Sequence, residues 1–222
     1  MKPQQVLNNL DHSSKDITEI LSAIDNPECQ LKSRELLKVF IKNLEMLKRN
    51  YLLLTESEFY LDVAKALEQT KHRLKAVDPL QADWGSHSAL LNYYETNLQA
   101  MTRGVQITRI FVINHQDLLN RNIQKTLSKQ HQDGIDVRIT YLEDLQLISN
   151  ESFVGTLNFA IYNDALVADR ASDNGSYFGK STKNPVEIKK YTHLFDLIDA
   201  HSHRFTSEKI QSQLQLIDLL PI

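Results

Sequence analysis

Residues that could bind an anion are concentrated in a short stretch late in this chain. The group comprises Gly179, Lys180, Ser181, Thr182 and Asn184, and Pro185 follows it. Proline is favoured at the first position of a helix, where free main-chain N–H groups attract negative charge. A phosphate or a carboxylate would therefore suit this position. The alternative is a simple turn in which a Ser, Thr or Asn side chain caps the helix.

The same stretch does not fit a nucleotide-binding P-loop. That motif needs a glycine five residues before its Gly-Lys pair, and this chain has Asn174 there. The anion, if one binds, would have to be held by the helix start and by the side chains of Lys180, Ser181 and Thr182.

Two residues earlier in the chain are further ligand-binding candidates. Trp84 lies in a predicted loop at the carboxyl end of the first long strand, and ligands of open α/β sheets bind at that edge. Its ring would stack on a base or a sugar, or else cover the core. Arg109, like Arg103 and Arg138, lies among apolar residues, so it either lines a polar face or is solvated.

Histidine and cysteine do not predict a metal site. His193 and His201 are eight residues apart, and His201 and His203 diverge on a helix, whereas zinc sites use closer helical pairs or Cys/His clusters. His115 has no serine or cysteine nucleophile at a recognisable elbow near it. We therefore expect no metal and no cofactor.

Apolar periodicity predicts the helices that would position these residues. Steps of three and four from Gln30 to about Leu54 are typical of a helix, and Thr55 with Glu58 forms a capping-box pattern that opens the next helix. Gly104 and Gly134 are expected to end two later helices in the left-handed conformation. The remaining helices are predicted at 88–102, 116–132 and 185–203.

Between these helices the pattern changes to that of strands. Strands are predicted near 73–78, 105–113, 135–141, 157–169 and 176–182, and the last two are expected to form a hairpin. Alternating helices and strands indicate an α/β fold with a mixed, largely parallel sheet and helices on both faces.

Composition limits the classes of function. The net charge of −3 and a pI near 6.2 give no global basic field for nucleic acid or an anionic membrane. No apolar run is long enough to span a bilayer. The single Cys29 cannot form an internal disulfide, and no signal peptide is recognised, so we expect a cytoplasmic protein.

Several linked features are similar to one phospholipase D-like domain, of the kind attached to bacterial and archaeal regulators. In order along residues 58–205 they are K-H-R-L-K-A-V-D, a Trp-bearing loop, R-G-V-Q-I-T-R-I-F-V, G-I-D-V-R-I, F-A-I-Y-N-D-A-L-V and G-K-S-T-K-N. The resemblance implies that family's fold. It leaves the first 57 residues and the last 17 uncovered.

The catalytic H-x-K-x4-D signature of that family is degenerate in this chain. Its matching positions are Thr156, Asn158 and Asn163, so the histidine nucleophile, the cation and the carboxylate are absent. Asp164 is one residue late, which would place it on the opposite face of a strand. Asn158 and Asn163 are then either remnants of a ligand site or plain polar residues at strand ends.

Three segments follow from these observations. Residues 1–57 are predicted to be a helical extension, 58–205 the phospholipase D-like domain, and 206–222 an amphipathic tail. The helix at 34–54 either packs on the sheet as an extra layer or makes a homodimer. Its candidate interface residues are Leu37, Phe40, Ile41, Leu44 and Leu47.

The favoured function is a non-catalytic regulatory module that senses a small anionic ligand or contacts a partner protein. One alternative is a phosphodiesterase or nuclease with an unrecognised active site. A second is a nucleic-acid-associated regulator, because basic residues cluster in the N-terminal helix, although acidic residues interrupt them. That cluster comprises Lys32, Arg34, Lys38, Lys42, Lys48 and Arg49.

Overall fold

The computed structural model describes residues 15–80, 88–148, 157–170 and 177–206. They fall into two compact units, Met1–Lys48 and Arg49–Ile222. The predicted C-terminal tail lies, apart from Thr206, outside the described residues.

The first unit contains helix α1, at residues 15–22, and helix α2, at Pro27–Lys48. Asn26 caps α2, since its side-chain oxygen accepts hydrogen bonds from the N–H groups of Glu28 and Cys29. No residue of α2 is buried. Its large apolar side chains are 40–62% exposed, and they are Leu31, Leu36, Val39, Phe40, Ile41, Leu44 and Leu47.

The helix predicted to run to Leu54 ends earlier. After Lys48 the chain turns at Asn50, which has a left-handed φ of 61°, and such a residue terminates a helix. Tyr51–Leu54 then forms strand β1, contrary to the prediction. The spacing of Tyr51 from Leu47 fits a helical step, but cross-strand pairing decides the conformation.

The second unit continues from β1 with alternating helices and strands. The helices are α3 (Glu56–Gln69), α4 (Ser88–Thr102), α5 (Arg121–Gln132), α6 (Leu142–Ile148) and α7 (Pro185–Ala200). The strands are β2 (Arg73–Pro79), β3 (Gln106–Ile113), β4 (Asp136–Tyr141), β5 (Phe159–Tyr162), β6 (Leu166–Arg170), β7 (Gly179–Thr182) and β8 (His203–Arg204). A short 3-10 helix at His115–Leu119 separates β3 from α5.

Several local predictions are confirmed. Gly104 and Gly134 follow α4 and α5 with φ values of 89° and 95°, a region that L-residues with a side chain rarely adopt. At the start of α3, the main-chain N–H of Thr55 donates to Glu58 at 2.9 Å, as a capping box requires.

The eight strands form one sheet in the order β1-β7-β6-β5-β2-β3-β4-β8. Within the part of the chain that the structure describes, the β2–β3 and β3–β4 pairs are parallel and the other five pairs are antiparallel. The class is α/β, but the prediction of a largely parallel sheet is wrong. One reason is that a short turn at 163–165 joins β5 directly to β6, so the chain reverses direction between these two strands.

The predicted long strand at 157–169 is in fact the β5–β6 hairpin. Its turn is at Asn163 and Asp164, whose φ values are 51° and 54°, and Ala165 N–H donates to the carbonyl of Tyr162 at 2.9 Å. Two left-handed residues at the centre of a β-turn are typical of type I′. The Asn-Asp pair was the sequence signal for this turn.

Helices cover both faces of the sheet, as predicted. Helices α3, α4 and α5 share one apolar core with alternate residues of the strands, among them Leu74, Ile107 and Phe111. Helix α7 packs on the opposite face, where its Tyr191 meets Phe159 edge to face. Each face also carries a buried group of charged side chains.

No helix among the described residues is long and apolar enough to cross a membrane.

Candidate functional site

The predicted anion site lies at the end of β7, where the sequence folds into a capped helix start. Asn184 caps α7 by accepting the N–H of Val186 at 3.0 Å, and its own N–H donates to Thr182 Oγ1 at 3.1 Å. The amide group of Asn184 also donates to the carbonyl of Arg49 at 3.1 Å. The side chains of Thr182 and Asn184 therefore hold this turn and attach it to the segment before β1.

Lys180 and its strand neighbours also make buried contacts that stabilise the fold. Lys180 Nζ lies 3.1 Å from Asp169 Oδ2, and only 18% of the Lys180 side chain is exposed. Asp169 is 1% exposed and also accepts a hydrogen bond from the hydroxyl of Tyr191. Ser181 is 2% exposed. We call Asp169, Lys180 and Tyr191, together with Tyr51 and Glu187 beside them, the Asp169 cluster.

Glu187 joins α7 to β1 and to the turn that precedes β1. It accepts hydrogen bonds at 2.7 Å from both the Tyr51 hydroxyl and Arg49, and Lys190 reaches it at 3.0 Å. Burial of Glu187 alone would raise the pKa of its carboxyl. The hydrogen bonds from Arg49, Tyr51 and Lys190 outweigh it and lower that pKa to about 2. The carboxylate is therefore ionised and fixes β1 to α7.

The opposite face of the sheet holds a second group, the Arg109 cluster, formed by Arg109, Asp78, Asn97, Gln130, Tyr93 and Tyr162. Arg109 is 1% exposed and lies between the sheet, α4 and α5. Its guanidinium is 3.2 Å from Asp78, 2.9 Å from Gln130 Oε1 and 3.5 Å from Asn97 Oδ1. These contacts of Arg109 lie in the protein interior, whereas the sequence suggested that Arg109 lines a polar face or is solvated.

Burial dominates the titration of the groups around Arg109. It raises the pKa of the Asp78 carboxyl, against the opposing effect of Arg109 and Arg170. It also raises the pKa of Tyr93 to about 12, and Tyr93 and Tyr162 share a hydrogen bond of 2.7 Å between their hydroxyls. Both hydroxyls are protonated at neutral pH and act as fixed hydrogen-bonding groups.

The two remaining candidates from the degenerate motif lie apart from each other. Asn163 is in the β5–β6 turn, where its side-chain oxygen accepts from the N–H groups of His72 and Lys71 at 3.0 and 3.2 Å. Asn158 precedes β5, and its carbonyl accepts the N–H of Arg170 at 2.9 Å. Thr156 and Trp84 lie outside the described residues.

One exposed pair brings a histidine next to a carboxylate. His115 Nδ1 is 3.4 Å from Glu143 Oε2, and the imidazole stacks on Tyr141 at a ring distance of 3.8 Å. The pair follows the carboxyl ends of β3 and β4, the edge at which α/β sheets bind ligands. A carboxylate that orients a histidine is one part of an acid–base site. Among the described residues no group of three metal ligands exists.

Sequence reasoning missed the residues that carry the buried charge. Asp169 lies within the apolar run L-V-A-D-R, and Tyr51 lies in a stretch interpreted as helix. The available signal was that Asp169 interrupts a buried strand, where an ionised group needs a partner. The identity of that partner depends on the pairing of β6 with β7, which sequence periodicity does not reveal.

Comparison with known proteins gives no family assignment. No protein-family model matches the chain, and no curated protein matches it. Similar solved structures include TrmBL2, described as an archaeal chromatin protein that shows a novel mode of DNA binding. It has 14% identity and a TM-score of 0.47, over 92% of this chain and 71% of that one.

Two other similar structures are bacterial. Nuc from Salmonella typhimurium, a phospholipase D family member, has 12% identity and a TM-score of 0.47, over 71% of this chain and 99% of its own. NucT from Helicobacter pylori has 12% identity and a TM-score of 0.45, over 70% and 98% of the two chains. These similarities are too distant for site residues to be transferred.

Proposed function

We propose that this chain is a non-catalytic regulatory or binding module with a phospholipase D-like fold, which senses a small ligand or contacts a partner protein. The observation that carries the proposal is the role of Asn163. The resemblance aligns this residue with the family's catalytic carboxylate, yet its side chain here holds main-chain N–H groups in a hairpin turn. A side chain bound in this way stabilises a turn and does not take part in phosphodiester hydrolysis.

The ionic groups of the sheet support the same proposal. Lys180 is bound to Asp169, and Arg109 is bound to Asp78 and Gln130. A phosphodiester cleaved through a covalent intermediate needs a nucleophile and a cation that reach the substrate. In the described residues both of these cations hold the fold together.

We expect purified protein not to hydrolyse bis(p-nitrophenyl) phosphate or DNA. Loss of a nucleophile and its electrostatic partner typically lowers the rate by several orders of magnitude. Release of p-nitrophenol and gel electrophoresis of plasmid DNA measure this directly. Turnover that persists through purification and disappears in His115→Ala or His193→Ala would contradict the proposal.

A second candidate function rests on the His115–Glu143 pair. Its stacking on Tyr141 and its place beside β3 and β4 are what an acid–base enzyme would use. The same hydrolysis assay separates the two functions. Activity lost in both His115→Ala and Glu143→Gln, but kept in His193→Ala, would favour the enzyme.

The regulatory proposal includes a homodimer formed through α2. Seven large apolar side chains on this helix are 40–62% exposed, far more than an isolated surface helix requires. Closed two-fold dimers are the commonest soluble oligomers. A second copy of α2 would cover this apolar face.

Placing charges on α2 should convert a dimer into a folded monomer. We expect Phe40→Glu/Leu44→Glu to behave as a monomer in dilute solution, because two carboxylates would be buried without partners in the interface. Light scattering gives the mass, and circular dichroism shows whether the helices remain. Lys38→Glu, on the same exposed helix, is the matched control and should stay dimeric.

Other results would exclude the α2 dimer or favour a different role for α2. A wild-type monomer at high concentration would exclude the dimer, and an unfolded Phe40→Glu/Leu44→Glu product would show that α2 is needed for the fold. Retention of the protein on DNA that falls steeply with salt would favour a nucleic-acid-associated regulator, through the basic residues of α2.

A further inference from the structure

The two edges of the sheet differ in chemistry. At one edge, β8 has two residues, both exposed, and Arg204 forms an ion pair with Asp136 at 3.0 Å. Short and charged strands of this kind prevent other chains from pairing at an edge. At the other edge, β1 reads Tyr-Leu-Leu-Leu and contains no charge, proline or glycine.

We propose that β1 is an interaction surface for a second copy of this chain, which pairs with it strand to strand and extends the sheet across a two-fold axis. Among the described residues β1 has a single neighbouring strand, β7. Main-chain N–H and C=O groups alternate between the two sides of a strand, so half of those in β1 are directed away from β7. These groups are the template for an added strand.

The charges that flank β1 select a second copy in antiparallel orientation. Arg49 precedes the strand and, although it binds Glu187, its side chain remains 49% exposed, while Glu56 follows the strand and is also exposed. An antiparallel pair brings the cationic end of one strand to the anionic end of the other, whereas a parallel pair brings like charges together. Self-pairing of a strand in this orientation is two-fold symmetric.

Apolar side chains beside this edge strengthen the proposed contact. Leu52 within β1 is 58% exposed, and Val186 at the start of α7 is 63% exposed. Val186 follows Asn184, whose amide binds the carbonyl of Arg49 just before β1. An added strand that covers Leu52 removes apolar surface from water in addition to forming main-chain hydrogen bonds.

The strand is also held in place before any partner arrives. Tyr51 is 3% exposed and its hydroxyl is bound to Glu187 at 2.7 Å, so β1 does not have to be ordered on binding. Because the strand has only four residues, the paired surface is small and the association is weak, as expected for interfaces at the low end of the size range. The contact therefore adds to a dimer through α2 and does not depend on it.

Leu52→Lys tests this surface, with Leu61→Lys as its matched control. Leu61 lies on α3, outside β1, and is 61% exposed, so both changes place a lysine at an equally open position. A lysine on an edge strand blocks pairing. We expect Leu52→Lys to weaken self-association by about tenfold or more, equal to roughly 1.4 kcal/mol, and Leu61→Lys to leave it unchanged.

Two measurements are needed. Sedimentation velocity over a concentration series gives the association constant, and hydrogen exchange reports the main-chain amides of β1. These amides should exchange more slowly at high protein concentration in the wild type and in Leu61→Lys, but not in Leu52→Lys. Glu56→Lys, which places two cationic ends together, should also weaken the association.

Several outcomes would overturn the proposal. One is equal association of Leu52→Lys and Leu61→Lys. Another is slow exchange of the β1 amides at every concentration, which would mean that a segment of the same chain covers the edge. The Phe40→Glu/Leu44→Glu variant keeps the two contacts apart, because it removes the α2 dimer while concentration-dependent protection of β1 persists.

Discussion

Replacing Arg109 with methionine is expected to lower the free energy of unfolding by about 3–5 kcal/mol. The side chain is 1% exposed and its guanidinium binds Asp78, Gln130 and Asn97. Methionine fills similar volume, so the loss comes mainly from the polar groups left in the interior without their cation. Urea denaturation followed by circular dichroism measures it.

Two further variants make this result specific to the buried charge. Arg121 is exposed on α5, so Arg121→Met should change the stability by less than about 0.5 kcal/mol. Adding Asp78→Asn to Arg109→Met should restore part of the loss, because the unpaired carboxylate is then removed as well. Equal denaturation midpoints for Arg109→Met and the wild type would show that Arg109 does not support the core.

The second large effect is expected at Glu187 and depends on pH. Its pKa of about 2 in the folded protein lies below the ordinary 4.5, so the unfolded chain takes up a proton at a higher pH than the folded chain does. The stabilisation is thus complete above about pH 4.5 and is lost as the pH falls towards 2. A difference of this size corresponds to at most about 3 kcal/mol, and the solvent around the half-exposed Arg49 screens part of it.

Glu187→Gln should remove most of this dependence. The amide can still accept the Tyr51 hydroxyl but cannot form the ion pairs with Arg49 and Lys190, so stability should fall at neutral pH and change less between pH 4.5 and 2. Denaturation midpoints across this range measure both effects. Glu95→Gln, an exposed change on α4, is the control. An acid profile in Glu187→Gln as steep as in the wild type would contradict the assignment.

Local sequence signals predicted the individual helices and strands well where the spacing of apolar residues follows a single helical or strand period. The continuous apolar run before Asn114 gives β3, and Gly104 and Gly134 end their helices in the left-handed conformation that only glycine adopts freely. The capping box at Thr55 is a contact between residues three apart. Each of these features depends only on residues that are close together in the sequence.

The errors concern contacts between distant segments. β1 lies at the end of a helical period, and only its pairing with β7 makes it a strand. The antiparallel β5–β6 pair follows from the Asn163–Asp164 turn, which reverses the chain inside what reads as one long strand. For the same reason the sequence suggested Arg109 and Lys180 as ligand-binding residues but could not show that Asp78 and Asp169 already bind them.

The pairing of β1 with β7 also has a consequence for the order of folding. Tyr51 and Glu187 are 136 residues apart in sequence, and β1 has no strand partner among the described residues until β7 exists. Closing so long a loop is entropically costly and slow compared with forming the neighbouring β2, β3 and β4. During synthesis, β1 can therefore join the sheet only after β7 has been made, and until then its apolar strand is available to other chains.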